Sequence, residues 1–234
     1  MSISTKYGRT YHYPFSPGTT SDDRINENWI SDISRIKKII HTEKMDGGNT
    51  CENGIGVFAR SHAAPSTHPW DKHLKEKHSI IQKDLKDNDI ELFGENMYAQ
   101  HSIIYPRLDS HYYIFAVRQL DMWLSWEEVK WYAEFFEFPT VPELGTHDIL
   151  ITSPNEIARF VVETSKQPSV FGSQQYVNGV LEDCTREGIV TRNVDEYPVN
   201  KFKQNVFKYV RKGHVTTDEH WSRNWKRARL IHEY

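Results

Sequence analysis

Hydrophobic and polar positions change period several times along this 234-residue chain. "YHYPFSPGTTSDDR" holds Pro14, Pro17 and Gly18 and reads as loop, and Asp22 to Ile33 reads as a short helix. From Ile36 the β-branched run "IKKIIHTEK" predicts a strand ending at Lys44. "GIGVFARS", Gly54 to Ser61, predicts the second arm of a hairpin that turns through Gly47, Gly48 and Asn49. A histidine-rich polar stretch, His62 to Lys86, follows as loop and helix. "DIELFGEN" and "YYIFAVRQL" are aliphatic and aromatic enough for strands.

"SWEEVKWYAEFFEF" then opens with Ser125 and Glu128 spaced as a capping box and continues at helical spacing. "SPNEIARFVVETS" repeats the device, with Ser153 as cap, Pro154 at the first helical position and Glu156 three after the cap. "EGIVTRN" and "NVFKYVRK" return to strand, and "TTDEHWSRNWKRARL" predicts a closing helix capped by Thr217. No repeat, low-complexity tract or flexible linker interrupts the order. It implies an α+β fold, mainly antiparallel sheets flanked by helices, as a single domain over 1–234. Residues 1–35 form an N-terminal extension in this reading, and 213–234 a basic C-terminal helix.

Composition narrows the class without choosing a function. No apolar run approaches the ~18 residues of a membrane span, and the polar N-terminus lacks the apolar stretch of a signal peptide. Two cysteines, Cys51 and Cys184, suit buried or free thiols in a reducing, cytoplasmic setting. A formal charge of −3 excludes a globally basic nucleic-acid binder but not a local basic groove. The stretch Lys201 to Lys212 is basic with no acid, and "WSRNWKRARL" is basic and aromatic. Aromatic content of 13% fits a large core or base-stacking surfaces. His62, His68, His73 and His78 match no closed zinc-ligand spacing, and no cysteine pair accompanies them.

The chemistry centres on "HTEKMDGGNT", which sets Lys44 two residues before Asp46 and the glycines. Alone, this fits a solvated lysine at a hairpin turn. Four further segments follow in fixed order: "ELFGE" ending in Glu95, "YYIFAVR" carrying Phe115, "EGIV" opening with Glu187, and "FKYVR" with Lys208 and Arg211. The series resembles the motifs of the covalent nucleotidyltransferases, the superfamily of ATP-dependent DNA and RNA ligases and mRNA capping enzymes. It is most similar to the phage-type RNA ligases that seal nicks, the RNA ligase 2 type, where residues equivalent to Glu43 and Asn49 also recur. The resemblance covers roughly Lys37 to Lys212.

It implies a ligase-type nucleotidyltransferase domain with a nucleotide pocket between its sheets. Lys44 would attack the α-phosphorus of ATP and carry AMP. A free lysine titrates near 10.4, and a bound divalent metal with neighbouring cations would lower that. Lys208 would contact the α-phosphate. Glu187 would serve the metal and phosphate chemistry and Glu95 the ribose or metal, with Mg2+ or Mn2+ as the cation. Phe115 would stack on adenine or simply fill the core. Arg60 would hold a substrate phosphate. Glu43, Asp46, Gly47 and Asn49 complete the nucleotide side, with hairpin packing as the alternative for Glu43 and Asn49. Val210 stands where the family has a second lysine; Arg211 is the candidate substitute, against the alternation of faces along a strand.

Many such ligases carry a further domain, often an OB fold, after the last motif, and the roughly twenty residues beyond Lys212 are too few for one. The expected substrate surface is therefore Arg60 with Arg223, Lys226, Arg227 and Arg229, or a partner protein; the tail also fits a helix packing Trp221 and Trp225 on the body. The expected activity is ATP-dependent joining of RNA ends, nicked or broken. DNA ends, or a binding module without chemistry, stay open as alternatives.

Overall fold

The computed structural model describes residues 5–213 and 221–233. In chain order the elements are β1 (Tyr11–His12), α1 (Trp29–Ile33), β2 (Lys38–Lys44), β3 (Gly48–Asn53), β4 (Gly56–Ala59), α2 (Lys72–Asp87), β5 (Ile90–Asn96), β6 (Tyr112–Gln119), β7 (Met122–Trp123), α3 (Trp126–Phe135), β8 (Glu143–Asp148), α4 (Pro154–Ser165), β9 (Gln174–Val177), β10 (Val180–Asp183), β11 (Gly188–Asn193), β12 (Tyr197–Pro198), α5 (Phe202–Asn205) and β13 (Val206–Val210). They build a five-stranded sheet, β1-β13-β11-β2-β8, a six-stranded sheet, β12-β7-β6-β5-β3-β4, and the small hairpin β9-β10. All pairings are antiparallel except β1 with β13. The α+β expectation therefore holds.

Alternation along the strands decides which residues meet. In the five-stranded sheet, Ile39, Ile189, Phe207 and Tyr209 face outward, where Ile157 and Val161 of α4 and Trp29 and Ile33 of α1 cover them. Ile40, Val190 and Val206 face the six-stranded sheet and join its core of Leu92, Phe93, Ile114 and Val117. α2 packs on β3, β4 and β5 of that second sheet, and α3 packs on β6. Both predicted capping boxes form: Ser125 and Ser153 each accept from the backbone of the glutamate three residues on, whose carboxylate reaches back.

Three expectations change. β2 and its successor do not form a hairpin: β2 lies in one sheet and β3 in the other, so residues 45–47 cross between sheets. The tight turn comes later, between β3 and β4. Gly47 is needed for the crossing itself, because a Cβ there would lie 2.7 Å from the Asn96 carbonyl oxygen and 2.6 Å from the Met97 sulfur.

The helix expected over Asp22 to Ile33 covers only Trp29–Ile33, because the residues before it lie along β1.

The closing helix is also absent over the described tail, which has short 3-10 turns at Trp221–Arg223 and Ile231–Glu233; Thr217 lies outside the described residues. The tail's backbone groups go to the body instead. Gln100 N donates to Lys226 O at 2.8 Å, Ala228 N to Tyr98 O at 2.8 Å and Ile231 N to Leu108 O at 2.7 Å, which leaves them unable to close a helix.

Candidate active site

The register of the five-stranded sheet assembles one wall of a cleft. Lys44 pairs with Gly188 and Thr42 with Val190 across β2 and β11, and Val190 pairs with Lys208 across β11 and β13. Lys44, Val190, Arg192 and Lys208 thus share the inner face. The six-stranded sheet supplies the opposite wall through Asn49 on β3, Glu95 on β5 and Phe115 on β6, with Arg60 just past β4. Between them lies a cavity of about 240 Å³, also lined by Glu43, Gly47, Val141 and, from the N-terminal segment, Tyr7, Gly8 and Thr10.

Lys44 is the centre of this arrangement. Its ammonium group lies 2.7 Å from Glu187 Oε1 and 2.8 Å from Oε2, while 26% of its side chain stays open to solvent. Glu187 is buried and sits immediately before Gly188, where any Cβ would lie 1.9 Å from the Tyr209 carbonyl oxygen. The glycine lets β11 and β13 close around the carboxylate. Burial alone would depress the lysine, but Glu187, Glu95 and Asp46 together hold its pKa above the ordinary value. The lowering expected from cations is not a property of the chain's own side chains. Here carboxylates outweigh them.

Burial pushes the Glu95 carboxyl up to about 7, with Lys44 opposing and Glu187 and Asp46 adding to the rise. Glu95 Oε1 also accepts from Gly47 N at 3.2 Å, which fixes the crossing segment to β5. Asp46 turns toward a loop: its Oδ2 accepts from Ile103 N at 2.8 Å, and its own N–H donates to the Tyr105 hydroxyl at 2.9 Å. Glu43 borders the cavity but pairs with Ile189 on the other face of the sheet, where its buried Oε2 accepts from Val170 N at 3.3 Å and from Arg186 at 3.4 Å. Burial raises its pKa against those partners.

Phe115 belongs to the main core and also lines the cavity. Tyr7 meets its ring edge-on at 5.0 Å, and the Arg192 guanidinium lies 5.6 Å from its centroid. Arg192 donates to Thr42 Oγ1 and packs near Trp126 as well. Arg192, Tyr7 and Thr10 are cavity residues that the sequence reading missed. Alternation pointed to Arg192, two positions after Val190 on the same face; nothing local marks Tyr7 or Thr10.

Other candidates lie elsewhere. Arg211 does not line the cavity: its guanidinium donates to Gln175 Oε1 at 2.6 Å and to Gly213 O at 3.1 Å. Arg227 is held in a two-pronged pair with Glu233, at 2.9 and 2.6 Å, beside the Tyr98 ring. Arg223, Lys226 and Arg229 are exposed on the tail. The four histidines go to separate environments. His62 stacks on Phe58, His68 on Trp70 and His73 on Tyr98, and His78 meets Asn53 O at 2.8 Å.

Two sheets closing on a lysine-bearing cleft, with carboxylates behind the lysine and cations beside it, define a ligase-type nucleotidyltransferase domain. Residues 37–210 match the family model described as RNA ligase, and the chain belongs to that family. Among solved structures it is similar to a Naegleria gruberi RNA ligase in an apo form, at 18% identity, covering 88% of this chain and 59% of that one, TM-score 0.54. A form of the Naegleria enzyme with ATP and Mn gives 19% identity, 88% and 60% coverage and TM-score 0.52. An archaeal ATP-dependent RNA ligase gives 14% identity, 88% and 48% coverage and TM-score 0.52. This chain therefore spans about half to three fifths of the length of those proteins. No curated protein matches.

Proposed function

We propose that this chain is the adenylyltransferase part of an ATP-dependent RNA ligase, joining a 3′-hydroxyl to a 5′-phosphate through lysyl-AMP and a 5′-adenylylated end. The observation that carries the reading is Lys44, set on the inner face of β2 against Glu187 and opening into a cavity that also holds Lys208 and Arg60. Lys44 attacks the α-phosphorus, forming an N–P bond as pyrophosphate leaves. The adenine lies against Phe115 and the aliphatic surface of Val190 and Val141. Lys208 and Arg60 face the phosphates and offset the charge that grows there.

The resting lysine is protonated, so it must lose a proton first. Glu187, 2.7 Å away, orients the amine, and the proton leaves to solvent, to which 26% of the lysine side chain is open. Among the described residues no three His, Cys, Asp or Glu side chains converge as a closed metal site. The neighbouring carboxylates of Glu95 and Glu187 are nonetheless hard oxygen donors. They suit a magnesium or manganese ion that takes its remaining ligands from water and phosphate. Such an ion would supply positive charge at the phosphates and against these carboxylates, relieving the field that keeps Lys44 charged.

Arg60 with exposed Arg223, Lys226 and Arg229 forms the proposed RNA-phosphate surface. Both cysteines are unpaired, and no helix of the described residues is long and apolar enough to cross a membrane. A cytoplasmic setting fits that chemistry. The test is intact mass after incubation with ATP and magnesium, followed by sealing of matched nicked RNA and nicked DNA. A gain of one AMP and preferential RNA sealing are expected; an unchanged mass overturns the assignment.

A further inference from the structure

The N-terminal loop carrying Thr20 and Asp23 lies outside the family match, yet it reaches the cavity lysine on β13. β1 runs parallel to β13 with His12 opposite Lys208. Asp23 Oδ1 accepts from Lys208 Nζ at 3.0 Å, and His12 Nε2 lies 3.0 Å from the same oxygen in a bent contact. Asp23 Oδ2 accepts from the Thr20 backbone N–H and from Thr20 Oγ1, each at 3.0 Å. Both carboxylate oxygens are thus held.

The support behind them is equally fixed. His12 is fully buried; its N–H donates to Arg24 O at 2.7 Å and its carbonyl accepts from Asn26 N at 2.8 Å, clamping the segment that directly follows Asp23. Its Nδ1 meets Ser16 Oγ at 2.8 Å, and that oxygen accepts from Val210 N at 2.9 Å, back on the strand of Lys208. The loop, β1 and β13 therefore form one braced unit around a single ion pair.

We propose that Asp23 is a positioning residue for Lys208, a fixed counter-charge that holds its ammonium group aimed into the nucleotide cavity. This rests on the reading of Lys208 as a phosphate contact. A lysine has a long flexible stem, and an unbraced one would sample many directions away from the phosphate. The Lys208 side chain is only 19% exposed, and burial, with Lys44 and Arg60 nearby, lowers its pKa; Asp23 works against them. Because Thr20 holds one Asp23 oxygen and His12 flanks the other, the carboxylate stays behind the lysine and leaves the lysine's remaining protons for phosphate oxygens.

The test is a double-mutant cycle of Asp23→Ala and Lys208→Met, read as single-turnover lysyl-AMP formation and as ATP affinity. Affinity is readable even in a variant with no detectable turnover. Asp23→Asn runs alongside as a near-isosteric variant that removes the charge and carries the test should the alanine variant misfold. Each Asp23 variant should slow adenylation on the order of tenfold, with little further loss of rate or affinity once Lys208 is gone. Equal fold-losses in both backgrounds would overturn the proposal, because a merely structural role is additive. Wild-type rates in both Asp23 variants would do the same. A wild-type chain that takes no AMP from ATP overturns the underlying reading, and this inference with it.

Discussion

Lys44 and Glu52 show how one chain places two charged groups under opposite constraints. Lys44 is held by the Glu187 carboxylate at a cavity wall, and its proposed nucleophilic role requires an amine that no other side chain supplies. Lys44→Ala is expected to abolish AMP attachment while still sealing an end supplied with AMP on its 5′-phosphate; loss of both activities would mean another role or a damaged fold. Glu52 sits fully buried on β3, with neither carboxylate oxygen hydrogen-bonded, and burial pushes it up to about 8 despite nearby Lys77. The folded state therefore keeps a proton that the unfolded chain releases near pH 4. Stability linked to Glu52 is complete below that pH, falls as pH rises toward 8, and is level above. Glu52→Gln should raise the melting temperature at pH 8, by roughly 2–4 °C for each kcal/mol recovered, and change it little at pH 4.5. Equal shifts at both pH values would contradict the protonation account.

At the scale of elements, the strand pattern located the site while the turns misled. The five motif segments lie where the periodicity put strands, and the two capping boxes mark helix starts that form. The glycines after Lys44 read as a hairpin turn, because a local pattern cannot tell a reversal from a crossing between sheets. The C-terminal tail read as a helix because its apolar spacing allows one, yet its backbone bonds the loop that precedes β6. Trp225 belongs to that strap, meeting Trp70 at 5.9 Å and Tyr98 at 6.0 Å. Trp225→Ala should therefore cost about 1–3 kcal/mol of stability, within the range for core truncations of a partly exposed ring, and leave lysyl-AMP formation at saturating ATP near wild type. Melting curves and a single-turnover assay on the same preparation check both halves. An unchanged melting temperature would make the tail a loose appendage.

Across the whole molecule, the proposed function assigns small-ligand chemistry to the cavity and polynucleotide contact to the exposed cations. Phosphate contacts made by exposed arginines and lysines weaken steeply with salt, because binding releases counterions. Sealing should consequently fall much faster with added salt than lysyl-AMP formation. Replacing Arg223, Lys226 and Arg229 together by Gln should depress sealing and flatten its salt dependence, with adenylation nearly intact. Arg227 is left out of that set because Glu233 already holds it. Parallel salt curves for the two steps in the wild type would remove the division between cavity and surface.

The amino-acid order alone determined the α+β class, the strands that carry Lys44, Glu95, Phe115 and Lys208 and the one that Glu187 precedes, and the two capped helices, because period-two alternation and caps are local and short-ranged. Only the tertiary structure decided that Tyr7 and Thr10 line the cavity and that Asp23 pairs with Lys208, since β1 joins β13 across most of the chain's length and no local pattern encodes that pairing. It also decided that Arg211 turns to Gln175, that carboxylates raise the resting lysine, and that the tail is a strap. Each of these depends on which distant groups share a small space, and burial and charge act there through distance in three dimensions.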